Sequence, residues 1–500
     1  MESKTKKRSM VWMLLLLFFL SWTLFFCMQG YPDNDFYNMA SAGRWVVEHG
    51  IMRTNPFFVE KGWPTVLQQW PYAAALYQIY AWFGIIGLNV FVWIQGVIMA
   101  SLGYAYMRIR GVTPLTALCC APLFCLFMAG YINCRPEMLS NSLILIQLIS
   151  LEKYAAEKKL RFLLPIPLVF WIEANVHTTF WVFHVLFLLP YCFRFRKLQN
   201  RSIGWKTGLG ILACSVPLVF LNVYGARAAL LLFHSGPVRK IEIGELQTIG
   251  GISLHMLVFL FGVYLFLYLR GKKLLNNVTV LLFFVFGVMY LAAQRCAIQF
   301  SLVLLIMMAD AAVYRRNSED EKWAKEENRI QSKRKFYLTA GGAIICLGCI
   351  LTCFAGKMAL DIKAEDDPLI PVHAVEYLLE HEDPKKVKVF TDFNNGGYMT
   401  WRGFENIYIE PKTEPYLQFV NGKKDIIREY CKLDESHDQE EIRAILEPYD
   451  FDYYIVNMLH PTLMLYMDMS DAYEEVLDQH DSILKDLTVY KLYKKVRPAA

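Results

Sequence analysis

Long apolar runs separated by short charged clusters occupy the chain up to about residue 356. Eleven stretches are apolar and long enough to span, or nearly span, a bilayer. They lie near 9–28, 86–107, 113–130, 136–152, 161–174, 177–193, 206–222, 251–270, 275–293, 296–314 and 336–356. A further apolar stretch, 70–84, reads as a helix lying along one membrane surface. Beyond 358 the pattern changes. Val387–Phe390, Ile407–Glu410, Tyr453–Val456 and Val489–Tyr493 have the short β-branched and aromatic character of strands. Pro371–Glu380, Asp425–Cys431 and Gln439–Leu446 read as helices. The fold class predicted is a polytopic α-helical membrane protein of about 11 spans with a C-terminal α/β domain. The domains expected are 1–358, including a first outer loop at 29–85, and 359–500.

Charge decides how the spans are oriented. Within the described spans the centres read as almost free of charge, and the connecting segments differ sharply. With the N-terminus inside and one crossing per span, inner loops hold 26 Lys and Arg and outer segments hold 9. This is the positive-inside asymmetry. Lys4, Lys6, Lys7 and Arg8 precede the first apolar stretch, which is read as a signal anchor because no small-residue cleavage site follows it. An odd number of crossings places 359–500 outside the cell membrane. That tail holds 16 basic against 29 acidic residues, while the first 358 hold 35 against 17.

Composition narrows the class further. Hydrophobic residues make up 55% of the 500, and only 19% are charged. An ordinary cytosolic enzyme, a disordered chain and a fibrous chain are all excluded. The basic excess is accounted for by the inner loops, so no nucleic-acid partner is inferred. The twelve cysteines imply no disulfide framework. Cys346 and Cys349 have CxxC spacing but sit inside an apolar run, where they read as small core residues.

Polar residues collect at the outer ends. Asp33 and Asp35 follow the first span; Arg135 and Glu137 lie between the third and fourth; Asn175 and His177 lie between the fifth and sixth. Arg239, Lys240, Glu242 and Glu245 follow the seventh, and Arg295 lies between the ninth and tenth. Ionisable groups near hydrocarbon are costly and mark functional sites. Asp35, held at the interface by the amphipathic stretch Phe36–His49, has the placement of a general base. Arg135, Lys240 and Arg295 have the chemistry to bind a lipid phosphate; alternatively they pair with Glu137, Glu242 and Glu245. No cluster has metal-ligand spacing, so no cofactor is assigned and a divalent metal is left open.

PDNDFYNMASAGRWVVEHG, then NPFF, then QQW, resembles the first outer loop of GT-C superfamily membrane glycosyltransferases. The likeness is to the bacterial group near protein O-mannosyltransferase-like and polyprenyl-phosphate-sugar-dependent enzymes. It continues through CRPEML, EANVH, NVYG, Glu245 and QRCAIQF, and in the tail through NNGGYMTWRG and IEPKTEPY. The resemblance implies that Asp35 is the catalytic base, with Asp33 two residues before it. It implies transfer of a sugar from a polyprenyl-phosphate donor to a cell-envelope acceptor, with attack of the inverting type. Asn175, His177, Glu245, Gln69 and the Gly396–Gly397 turn would shape the pocket. Where the group has His-Glu-Trp, this chain has Gln68-Gln69-Trp70. That departure keeps a catalytically silent scaffold open, and a transporter or flippase of lipid-linked sugars is the other alternative.

Overall fold

The computed structural model describes residues 34–127, 131, 133–195, 198, 201–241, 246–249, 253–322, 370–480 and 488–496. The apolar stretches at 9–28 and 336–356, and Asp33, Glu242, Glu245, Cys346 and Cys349, lie outside them. In chain order the helices are α1 (Asn34–His49), α2 (Trp70–Ile109), α3 (Pro114–Leu126), α4 (Glu137–Glu157), α5 (Pro165–Val176), α6 (Trp181–Cys192) and α7 (Trp205–Val219). They continue with α8 (Leu254–Gly271), α9 (Asn277–Ala292) and α10 (Ala297–Lys322). The remainder holds α11 (Val372–His381), β1 (Val389–Phe390), α12 (Gly396–Trp401), α13 (Ile426–Glu435), α14 (Gln439–Leu446), β2 (Tyr453–Asn457), α15 (Pro461–Asp468), β3 (Tyr473–His480) and β4 (Thr488–Lys495). Each apolar stretch predicted between 86 and 314 therefore holds a helix among its described residues.

The chain divides into two compact units. The first comprises 1–29, 89–222 and 243–360; the second comprises 30–88, 223–242 and 361–500. The described part of the first unit is a helical bundle. Local chemistry sets its boundaries. Pro165 opens α5, where its missing N–H is no loss. Ser253 caps α8 through the Met256 amide, and Asn276 caps α9 through the Val278 and Thr279 amides. Lys158 closes α4 in the left-handed conformation at φ 57°.

This bundle is apolar on its outside. Along α8, Leu254, Leu257, Leu260, Tyr264 and Leu267 are 52–62% exposed, on a face three to four residues in period. Phe284 and Val288 do the same on α9. Exposed apolar area of this extent is unfavourable in water and matches a lipid surface. Among the described residues, Trp70–Ile109, Leu254–Gly271 and Gln294–Tyr314 are helices long and apolar enough to cross a membrane. Thr178–Cys192, Trp205–Val219 and Asn277–Ala292 are shorter apolar helices. Within α2, Gly84 leaves helical geometry at φ 60°, ψ −151°. The break falls where the sequence pattern separates 70–84 from 86–107.

The interior of the bundle is more polar than the sequence pattern suggests. On α4 the residues Glu137, Ser140, Asn141, Ser142, Gln147, Ser150 and Glu152 are all buried. At the end of α4 that carries Glu152, Arg110 reaches Glu152 at 3.1 Å and Asp310 at 2.7 Å. Arg201 bonds both acids as well, and Tyr106 and Tyr191 complete the cluster. Asn276 and Thr279 donate to Asp310 at 2.7 and 2.8 Å. Two cations thus offset two anions, so each charge is compensated away from water. Glu152 and Glu173 sit at the ends of predicted spans, whereas His184 and Asp310 lie inside them, each tied by hydrogen bonds to groups on other helices.

The second unit carries a four-stranded sheet of order β1-β2-β4-β3. β1 pairs parallel with β2, and β2–β4 and β4–β3 are antiparallel. Ile407 adds single bridges to Val389 and Phe58 rather than a strand. Phe390 of β1 and Tyr454 of β2 cluster with Tyr408 and Phe451 at centroid spacings of 5.1–5.8 Å. The first outer loop packs within this unit. Helix α1 lies on α12, where Trp401 meets Phe36, Tyr37, Tyr77 and Tyr80 at 5.5–6.3 Å.

Candidate active site

Within the second unit the site is built around α1. Asp35 lies in the first turn of α1 and is half-buried. A carboxylate in the first turn suits the helix dipole. Its position is set by the contact of α1 with α12, and that contact requires glycine. A Cβ on Gly397 would lie 2.9 Å from both the carbonyl and side-chain oxygens of Asn34. One on Gly396 would lie 2.1 Å from the Ile409 carbonyl oxygen. The two glycines let α12 sit against Asn34 on one side and the 409–410 segment on the other. Asp392 holds the start of α12, accepting from the amides of Asn394 and Asn395 at 2.9 and 3.0 Å.

Beside this contact lies a charged group that sequence reasoning did not assign. Glu410, Lys412 and Glu414 are all buried, with at most 4% exposure. Lys412 Nζ donates to Glu410 Oε1 at 2.9 Å. With its amide oriented to suit its neighbours, Asn38 of α1 donates to Glu410 Oε2 at 3.2 Å and accepts from the Lys412 amide at 3.1 Å. Gln68 Nε2 donates to Glu414 Oε1 at 2.7 Å. Burial pushes the carboxyls of Glu410 and Glu414 above their ordinary range, although Lys412 and, for Glu414, Gln68 pull the other way. These residues are the tail run IEPKTEPY, whose alternation of acid and base was visible in the sequence while its partners were not. Gln69 is half-buried, and its Oε1 has no hydrogen-bond partner among the described residues.

The first unit assembles another group at the N-terminal end of α4. Arg295, between α9 and α10, pairs with Glu137. The Glu137 side chain is 3% exposed and that of Arg295 is 38%. Arg135 and His177 lie within electrostatic reach of Glu137. His177 ends α5 with its ring stacked on Phe180 at 3.9 Å. Its Nδ1 is 3.2 Å from Ser140 Oγ, which is 2.6 Å from Glu173 Oε1. Three of the predicted residues, Arg135, His177 and Arg295, are thus brought together, and Glu137 is the group that joins them. Asn175 is directed elsewhere, donating back to the Trp171 carbonyl at 3.0 Å. Lys240 is described by its backbone alone, at the end of the Gly236–Lys240 turn. Asp33 and Glu245 fall outside the described residues.

No group of three or more His, Cys, Asp or Glu among the described residues is arranged to hold a metal ion. The polar groups present can instead accept and donate hydrogen bonds, compensate an anion and take up a proton.

No protein-family model matches the sequence, and no curated relative does. Solved structures do. The Archaeoglobus fulgidus oligosaccharyltransferase, tethered to an acceptor peptide containing the NVT sequon, superimposes with a TM-score of 0.51 at 12% identity, covering 96% of this chain and 74% of that one. The same organism's oligosaccharyltransferase AglB, in complex with an inhibitory peptide and a dolichol-phosphate, gives a TM-score of 0.50 at 12% identity over 90% of this chain and 70% of that one. The likeness is one of fold. It is the fold seen in the Archaeoglobus fulgidus oligosaccharyltransferase.

Proposed function

We propose that the protein is a membrane glycosyltransferase that moves a sugar from a polyprenyl-phosphate donor to a cell-envelope acceptor on the outer face. The observation that carries this reading is the fold match over 96% of the chain to an oligosaccharyltransferase. The dolichol-phosphate in the AglB complex supports a lipid phosphate as the leaving group. Asp35 takes the acceptor hydroxyl's proton as that oxygen attacks the anomeric carbon, and the bond to the lipid phosphate breaks. Cationic side chains offset the charge that develops on the departing phosphate, and Arg295, with part of its guanidinium exposed, is suited to do so. The N-terminus is assigned to the cytoplasm and 359–500 to the outside.

The test compares envelope glycans of a strain lacking the protein with those of its parent by mass spectrometry. One sugar residue should be missing in the deletion strain and restored by the wild-type chain but not by its Asp35→Asn variant. Identical glycans in both strains, with lipid-linked precursors trapped on the inner face, would favour a flippase instead.

A further inference from the structure

Inside the first unit, a line of hydrogen bonds fixes where each proton sits, and the assignment follows from donor and acceptor counting. Gln147 Nε2 donates to the His184 carbonyl at 2.8 Å, so its Oε1 is the acceptor facing His184 Nδ1 at 2.8 Å. His184 therefore carries a proton on Nδ1. Its Nε2 lies 3.1 Å from Glu173 Oε2. Two lone pairs do not face each other at that distance, so one proton lies between them and the pair is neutral overall. Glu173 Oε1 is left to accept from the Ser140 hydroxyl at 2.6 Å. With its proton committed there, Ser140 Oγ accepts from His177 Nδ1 at 3.2 Å. Neutral His177 then holds its proton on Nδ1 and presents a bare Nε2. All five residues are at most 5% exposed, so water does not loosen the pattern.

Burial, rather than the nearby charges, favours a neutral imidazole at His177. Glu137 is already compensated by Arg295, and Arg135 adds a second cation within reach. Glu173 and His184 together carry no net charge. Glu137 contributes a second acceptor: one carboxylate oxygen takes the Arg295 bond, while the other, Oε2, is buried with no partner among the described residues. A buried carboxylate oxygen without a donor costs roughly 1–3 kcal/mol or more. Glu137 Oε2 and the bare nitrogen of His177 are both acceptors at the same end of α4. What satisfies them must bring neighbouring hydrogen-bond donors. Neighbouring hydroxyls of a sugar ring meet that description.

We propose that Glu137 Oε2 and His177 Nε2 form an acceptor-only subsite for the hydroxyl groups of a sugar, held in acceptor form by the Ser140–Glu173–His184–Gln147 line. The proposal names the recognised group within the glycosyltransferase reading and rests on it. The test uses the full chain in lipid nanodiscs with ¹⁵N-labelled histidine, and His177 is assigned by loss of its signals in His177→Asn. Nitrogen NMR should show His177 neutral, protonated on Nδ1. Adding methyl glucoside, methyl mannoside or methyl N-acetylglucosaminide should move the Nε2 resonance toward the hydrogen-bonded position for at least one of them. Glu137→Gln should weaken that glycoside about tenfold, near the worth of one charge-assisted hydrogen bond. Ser140→Ala should mix the two tautomers, and Ser140→Thr should restore one, with melting temperature checking that each variant folds. A proton on Nε2 in the wild-type chain, or silence toward every glycoside, overturns the subsite. Titration with undecaprenyl phosphate runs alongside: if the phosphate binds while His177 stays silent, the subsite alone falls; if neither binds, the glycosyltransferase reading falls with it. A glycoside response without phosphate binding supports the subsite and removes the lipid donor.

Discussion

Gln68 donates from its side-chain amide to Glu414 at 2.7 Å, joining the end of the first outer loop to the tail within one compact unit. The bond supports a buried carboxyl that burial pushes upward, as it does Glu410 nearby. A carboxyl whose folded-state pKa is raised binds more protons folded than unfolded. Its contribution to stability is full below the unfolded value, ordinarily 4.5, and is lost as pH rises through the raised folded value. The melting temperature should therefore rise as pH falls from neutrality toward about 5. Glu414→Gln should flatten this dependence, and Gln68→Glu, which faces one carboxyl with another, should steepen it. Differential scanning measurements across that range in detergent decide the matter; a dependence unchanged in Glu414→Gln would assign it to other groups.

Helix α12 gives a prediction of unusual sign. Alanine in place of glycine within a helix normally stabilises by roughly 0.5–1 kcal/mol. At Gly396 the new methyl would lie 2.1 Å from a backbone oxygen of the neighbouring segment, which has no flexible end to move aside. Gly396→Ala should destabilise by about 1–3 kcal/mol, the usual cost of overpacking. Gly210 on α7 has nothing within 4 Å of its would-be Cβ. Gly210→Ala serves as the control and should be neutral or stabilising. Melting temperatures of the two variants should move in opposite directions.

The helical elements were legible because apolar runs mark them directly, and α14 falls on the predicted Gln439–Leu446. Strand β2 was legible for the same reason: its residues are buried on both faces, so the run is continuously apolar and aromatic. Strand β3 was not, because an edge strand with Glu474, Glu475 and Asp478 on it reads as a solvated loop. Ile407–Glu410 has strand composition, yet only Ile407 pairs; Glu410 turns inward to Lys412. The site was half legible. Arg135, His177 and Arg295 stood out as charges at span ends, and three of the connecting side chains did not. Ser140, Gln147 and His184 sit singly among apolar neighbours, and nothing local marks a polar residue whose partner is on another helix. The Arg110, Glu152, Arg201 and Asp310 cluster was hidden similarly, since its cations look like ordinary inner-loop charge.

Arg295 and Glu137 provide a test that separates support from binding. Removing Arg295 leaves a buried carboxylate without its cation, whereas removing both charges leaves none. Arg295→Gln should lower stability by about 1–3 kcal/mol, the discounted cost for a pair with one half-exposed partner. Adding Glu137→Gln should recover most of that loss. Undecaprenyl phosphate affinity reads the other role: it should fall in Arg295→Gln and stay low in the double variant, because the phosphate contact is not restored. Affinity that recovers together with stability would make Arg295 a positioning residue for α4 alone.

An outside location for the tail is the expectation that the alternation of basic loops gives. A reporter enzyme active only in the cytoplasm, fused after Ala500, should be inactive, and one active only outside should work. The opposite pattern would place the second unit, with Asp35, on the cytoplasmic side and remove an outer-face acceptor.

Asp35 carries the sharpest expectation. Its side chain is half-buried at the start of α1, while the residues that fix that helix, Phe36 and Ser41, point into the unit: Phe36 meets Trp401 at 6.0 Å and Ser41 bonds Thr400 at 2.9 Å. Replacing the carboxylate by an amide of the same shape should leave those contacts intact. Asp35→Asn should therefore fold and insert normally, with a melting temperature near that of the wild type. A general base contributes roughly 10²–10⁴-fold to rate, so sugar transfer should fall by about that factor. Donor-lipid affinity should change little, because the base acts on the acceptor rather than on the phosphate. Asp35→Glu keeps the charge but moves it outward by one methylene, and it should regain only part of the rate. Wild-type turnover in Asp35→Asn would exclude this carboxylate as the base; lost turnover accompanied by equally lost donor affinity would assign it to binding instead.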